Sequence, residues 1–330
     1  MVRISALTAA AVLSFCSSGV LAAPSASNPL ALDPKDIQYW PEESEWVKDP
    51  NYKAPDFFVQ DVRAGPEEVQ LAAPASNFNG TQIPGFIPPS AKEGAEAARR
   101  ALDDHLQKRD VIGAESRFYY PNRNYPFSAM GRILATRPGH NDRRCSASVV
   151  GPRHVLTARH CLGDAIGETT YHYQPGYDQG TKMSGTWARS IVYPPRESGW
   201  CDWATDYVIM ITNDRVGEWH GWLGLTYPTT ADWHAHRFAN FGYPSDLGSA
   251  ERPFLQGGVK IHAGNDCYLG APTFSDADAD NGQSGGPIFE MQSSGTYVYS
   301  VLVGKHPDYT VASGGTRLLN TLFDTLRDFP

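Results

Sequence analysis

Three side chains suited to acyl transfer stand far apart in this 330-residue chain, each in a string that fits its task. Ser284 sits in GQSGGP (residues 282–287), a tight glycine-rich turn. Glycine admits backbone shapes closed to other residues and lets a second chain come close. A serine hydroxyl is a poor nucleophile alone. It needs a base beside it, and N–H groups aimed at the oxyanion that forms on attack. The candidate base is His160, in LTARHC (residues 156–161), and the candidate orienting acid is Asp206, in TDYVIMI (residues 205–211). The apolar run after Asp206 reads as a buried strand, which would hold its carboxylate rigidly. Asp202 is a rival, but it does not directly precede the strand pattern. The backbone N–H groups of Gly282 and Ser284 are the candidate oxyanion donors.

The order His, Asp, Ser is that of the chymotrypsin-type triad. With these strings the chain resembles a trypsin-like serine protease, and among those the glutamyl endopeptidases of bacteria and their fungal relatives. The likeness is carried by VIGAESR (111–117), SGW (198–200), FGYPSD (241–246), GQSG (282–285) and GGTR (314–317), and it runs from residue 110 to the end. The resemblance implies an all-β fold of two six-stranded antiparallel β-barrels with a C-terminal helix. It implies a serine endopeptidase that hydrolyses polypeptide substrates through an acyl-enzyme, with no cofactor and no metal. Of the five cysteines, Cys16 falls in the leader, and Cys145, Cys161, Cys201 and Cys267 remain, an even number with three pairings open. The resemblance implies a Cys145–Cys161 bridge beside His160, which leaves Cys201 with Cys267.

Two departures stand out. Trypsin-type zymogens carry an aspartate before the serine, which pairs with a freshly cut amino terminus; here it is Gln283, and an amide cannot form that ion pair. Arg159 stands beside His160 where the family usually has Ala or Gly, and a cation pointing inward would disfavour protonation of the imidazole.

Specificity is divided. The resemblance places His306, in VGKHPDY, on the strand lining the specificity pocket, where its ring could donate to a substrate carboxylate. That implies cleavage after Glu or Asp. The other wall is SDADADNG (275–282). Ala279 stands where the family often has a hydroxyl. Asp278 holds the offset of the aspartate that gives trypsin its preference for Arg and Lys, and a buried carboxylate would repel an acidic side chain. Asp276, Asp278 and Asp280 alternate and on an extended strand share one face; a solvated acidic loop and a Ca²⁺ site are the two readings.

Positioning these groups requires a folded domain, and the chain divides accordingly. Residues 1–22 have a basic start, a short apolar run and small residues at the end, the pattern of a secretory signal peptide. Residues 23–109 are rich in Pro, Ala and acids, and read as a loosely packed propeptide. Within them Asn79 heads the glycosylation triplet Asn-Gly-Thr, and residues 91–107 read as a charged, Ala-rich helix. Lys108 and Arg109 form a dibasic site suited to a kexin-type processing protease. Residues 110–330 are then the protease domain. Short strand patterns fill it (144–150, 206–211, 295–304), and Leu319, Leu322, Phe323 and Leu326 mark a terminal helix.

The formal net charge of −8 argues against nucleic acid and anionic membranes as partners. The expected molecule is a secreted, extracellular monomer made as a zymogen. The alternatives are the same protease with Arg/Lys preference set by Asp278, and an inactive homologue serving as a binding module.

Overall fold

The computed structural model describes residues 81–106, 115–196, 199–264 and 272–330, together with the backbone of 67–70. Among them run β1 (Glu67–Gln70), β2 (Gln82–Ile83), α1 (Lys92–Leu106), β3 (Phe118–Tyr119), β4 (Met130–Thr136), β5 (Arg143–Gly151), β6 (His154–Thr157), β7 (Thr170–Pro175), β8 (Thr186–Tyr193) and β9 (Val208–Thr212). The second half follows with α2 (Val216–His220), β10 (Gly224–Thr226), β11 (Phe238–Gly242), α3 (Ser245–Gly248), β12 (Phe254–Val259), β13 (Ile261–Ala263), β14 (Thr273–Ser275), β15 (Pro287–Gln292), β16 (Gly295–His306), β17 (Tyr309–Gly314) and α4 (Thr316–Asp328). The signal segment and Asn79, Lys108, Arg109 and Cys267 lie outside the described residues.

The first half is a closed barrel. Its ladder runs β8-β7-β4-β5-β6-β9, and pairing of β8 with β9 closes the ring. Val149, Val155, Ile191, Val192 and Ile209 are fully buried in it. Burying each such side chain contributes roughly 1.5–3 kcal/mol, which favours this register over a one-residue slip. The second half differs from the expected six-stranded barrel. Its ladder is a curled, open sheet, β13-β14-β17-β16-β15-β11-β12-β3, with β10 on β16. β12 and β13 are one run of chain broken at Lys260, so the chain itself, and no hydrogen-bonded pair among the described residues, links the β13 end of the sheet to β12, the strand next to its other end. The terminal helix is present as expected. Leu318, Leu319 and Leu322 are buried, and Thr321 Oγ1 lies 2.8 Å from the Tyr207 hydroxyl, next in sequence to Asp206.

A buried polar cluster joins the two halves. Arg132, from β4, donates to Gln174 (2.9 Å) and to Glu251 (2.5 Å), and Tyr177 donates to the other Glu251 oxygen (2.5 Å). Phe127 packs against Phe241 and Phe289 across the same seam.

The segment before the protease domain is not loosely packed where it is described. β2 pairs antiparallel with β10, setting Ile83 opposite Leu225. Phe86 and Trp222 exchange both backbone hydrogen bonds (2.8 and 3.0 Å), and their rings stack at 4.4 Å. Ile83, Ala98 and Leu102 are buried. Composition misled here because a few well-spaced apolar residues suffice when a sheet edge and a tryptophan ring stand ready to receive them.

Candidate active site

Ser284 lies between two glycines whose conformations only glycine adopts freely: Gly282 has φ +85° and Gly285 φ +79°. A Cβ on Gly282 would clash with the Tyr243 carbonyl, and one on Gly285 with Thr157 Oγ1 and the Ser146 carbonyl. The turn is held from both sides. Gly285 N–H donates to Leu302 O on β16 (2.7 Å), and Ser146 N–H on β5 donates to Ser284 O (2.8 Å). The Ser146 hydroxyl donates to Gly282 O (2.8 Å) and accepts the Tyr243 N–H (2.9 Å). Among the described residues the N–H groups of Gly282 and Ser284 have no protein acceptor, which leaves both able to donate to a bound oxygen.

His160 follows β6, in a short 3₁₀ turn (Arg159–Leu162), and Asp206 precedes β9, the strand paired with β6. That pairing brings the two together although 46 residues separate them. Asp206 grips His160 twice: Oδ1 accepts the backbone N–H (2.9 Å) and Oδ2 meets ring Nδ1 (2.7 Å). A carboxylate only accepts, so Nδ1 carries the ring proton and Nε2 is left to accept the Ser284 hydroxyl, 2.8 Å away. Asp206 is buried and Ser284 is 1 % exposed, so the line from carboxylate to hydroxyl is shielded from water. Asp202 pairs instead with Arg196 (3.5 Å). Arg159 lies over the Tyr193 ring and donates to Pro194 O (3.1 Å), away from the imidazole.

Cys145 and Cys161 form the disulfide implied beside His160. Cys201 is also disulfide-bonded, while Cys267 falls outside the described residues.

The three alternating acids do not share one partner. Asp276 accepts Lys260 N–H (2.7 Å), Asp280 pairs with Lys305, and Asp278 Oδ2 accepts from Ser116 N–H (3.0 Å), Ser116 Oγ (2.8 Å) and Gln256 Nε2 (3.1 Å). Among the described residues no group of three metal-ligating side chains gathers. Ala279 lies half-buried between Asp278 and Asp280. His306 ends β16, one residue beyond Lys305. Its ring stacks on Tyr309 (4.4 Å, 10° between planes), and Nδ1 accepts the Asp308 N–H at 3.3 Å. Nε2 therefore carries the proton of the neutral ring.

The family model for trypsin matches residues 120–316. The chain belongs to the trypsin family of serine proteases. It is 27% identical over 292 residues to a glutamyl endopeptidase of Bacillus licheniformis, covering 85% of this chain and 86% of that protein. So large a share of this chain must include residues before Asp110. Two solved structures share the fold: a Glu endopeptidase in complex with MPD (TM-score 0.52, 15% identity, 66% of this chain and 100% of that one) and the protease Anisep from Arthrobacter nicotinovorans (TM-score 0.51, 21% identity, 64% and 99%). The protein is thus a trypsin-family serine endopeptidase homologous to glutamyl endopeptidase.

Sequence reasoning missed two contributors. Ser146, in RRCSASVVG, gave no signal, because a strand serine is commonplace and its partners come from the other half of the molecule. Arg117, the last residue of VIGAESR, carries no signal of its own in the sequence. It is a buried cation against Gln283, and that amide at the position before the serine was the one available hint.

Proposed function

We propose that the protein is a secreted serine endopeptidase, made as a proenzyme and trimmed after Arg109 by a kexin-type protease, that cleaves after Glu or Asp. The observation that carries the catalytic reading is the unbroken line Asp206–His160–Ser284, with the N–H groups of Gly282 and Ser284 unused among the described residues. In this reading Ser284 Oγ attacks the scissile carbonyl carbon while His160 Nε2 takes its proton. Asp206 holds the ring tautomer and the imidazolium that forms. Gly282 and Ser284 N–H groups receive the oxyanion. The imidazolium then protonates the leaving amine, the C–N bond breaks and an acyl-enzyme remains. Water attacks it with His160 again as base, and the acid product leaves.

The acidic preference rests on His306, whose Nε2–H is free to donate to a substrate carboxylate, and on the partners that already occupy the wall acids. Removing that donor is expected to lower kcat/KM for a Glu peptide by roughly 10–100-fold and to leave a Gln peptide almost unchanged. The test is a cleavage profile on a random peptide mixture with Ser284→Ala as control, the cut sites read by mass spectrometry. Cuts after Glu or Asp that vanish in the control support the reading. Cuts after Arg or Lys would make Asp278 the pocket anion, and no serine-dependent cut would leave an inactive homologue.

A further inference from the structure

The residue before the nucleophile organises its loop. Gln283 is 1 % exposed, and its side chain makes four hydrogen bonds. Oε1 accepts from Asp280 N–H (3.0 Å) and from Arg117 Nη1 (2.5 Å); Nε2 donates to Asn240 Oδ1 (3.0 Å) and to Asp278 O (3.4 Å). The amide thus closes the loop 278–283 on itself and pins it to β11. Arg117 is also buried, and each of its five N–H donors is used. Nε and Nη2 go to Glu115 (2.9 and 2.6 Å), Nη1 and Nη2 to Asp246 (3.1 and 2.5 Å), and the second Nη1 proton to Gln283. Burial works against its charge, but the bonds from Glu115 and Asp246 outweigh that and raise its pKa further. Ser116, next to it, holds Asp278. Residues 115–117 therefore clasp both ends of the loop.

We infer that Arg117 is a built-in positioning residue that orders the Ser284 loop from within the chain, in place of a newly cut amino terminus. A guanidinium can do this where an ammonium could not be matched by an amide alone: its flat fork binds the neutral Gln283 oxygen while the remaining donors are neutralised by two carboxylates. The cation is part of the chain before any cut. Trimming after Arg109 is then not the event that sets the Gly282 and Ser284 N–H groups. The inference rests on Ser284 being the nucleophile.

The test uses the enzyme as secreted, its amino terminus read by mass spectrometry, a small fluorophosphonate that labels Ser284, and an ester substrate. Three variants are compared: Arg117→Gln, Arg117→Lys, and one whose trimmed amino terminus is extended by two residues. Arg117→Gln is expected to lower both labelling rate and kcat by about 100-fold or more, with KM within about threefold, because both oxyanion donors are mispositioned. Arg117→Lys should recover part of kcat. The extended terminus should keep wild-type kcat, and wild-type kcat should stay level between pH 8 and pH 10, where a terminal amine would lose its proton. A kcat that collapses in the extended variant, or that falls across that pH range, overturns the inference. So does a folded Arg117→Gln protein with unchanged kcat. Wild-type enzyme that the probe does not label overturns the nucleophile reading, and the inference with it.

Discussion

Replacing Ser146 by Ala removes two hydrogen bonds and nothing else from the seam between the halves. The backbone bonds of residue 146, from its N–H to Ser284 O and from Thr157 Oγ1 to its carbonyl, survive the change. The hydroxyl bonds to Gly282 O (2.8 Å) and from Tyr243 N–H (2.9 Å) do not. Both orphaned groups are buried, and the space left by one oxygen is too small for a water to replace it. Each unpaired buried group costs about 1–3 kcal/mol, so the loss is about 2–6 kcal/mol. At about 2–4 °C per kcal/mol for a domain of this size, Tm should fall by roughly 4–24 °C. The assay is thermal unfolding in a Ser284→Ala background, which prevents autolysis. In the active background kcat should fall about 10–100-fold, because the backbone that carries the Gly282 N–H loses its anchor. A Tm within about 1 °C of the parent, with kcat/KM within about twofold, would refute the claim that this hydroxyl fastens the nucleophile turn.

Asp206→Asn keeps the packing but can present an N–H to the imidazole, forcing the proton to Nε2, where it faces Ser284. We expect kcat to drop by about 10⁴, about 5.5 kcal/mol, and a loss under tenfold would reject the orienting role. His154 and His172 are buried, and their pKa values are lowered to about 4, by burial first and then by Arg153 and Arg132 respectively. Unfolded histidine titrates near ~6.5, so below that the unfolded state binds more protons; stability is full above ~6.5 and is lost as the pH falls towards ~4, by up to about 3 kcal/mol for each ring. Urea unfolding of the Ser284→Ala protein at pH 7 and pH 5 checks this, and equal midpoints would contradict it. Phe86→Ala removes a stacked ring worth roughly 0.5–1.5 kcal/mol beyond its burial. Limited proteolysis should then cut before residue 106 sooner than in the parent, and an unchanged digestion time course would count against the docking of this segment.

The strings around Ser284, His160 and Asp206 were legible because the chemistry leaves narrow local requirements: glycines at positive φ, a histidine ending one strand, an acid starting the next. The strand after Asp206 could be read for the same reason, since five consecutive residues are buried. What the sequence concealed lies in pairings between distant segments. The pairing of Asp206 with His160 was legible from the order of the strings; its double grip on the ring and on the backbone N–H was not, since that depends on β6 and β9 being neighbours. The open form of the second sheet goes with a break at Lys260 that no composition signals. The segment 81–106 looked loose because few of its residues are apolar, yet β10 offered it a free edge and Trp222 a platform.

The acidic wall shows how position and charge part company. By offset alone Asp278 reads as a pocket anion, and three alternating carboxylates would make the wall hostile to a Glu side chain. Each instead has its own partner: Lys260 N–H holds Asp276, Lys305 neutralises Asp280, and Ser116 with Gln256 saturates one oxygen of Asp278. Oδ2 of Asp278 already accepts three hydrogen bonds and would lose about 1 kcal/mol or more for each one surrendered, so a substrate cation would have to be received by Oδ1 alone. The same bonds tie the wall to residues 115–117, where Arg117 holds Gln283. In the proposed reading, substrate preference and the placing of the nucleophile both draw on the short segment 115–117, so a change at Ser116 should reach the pocket and a change at Arg117 the chemistry.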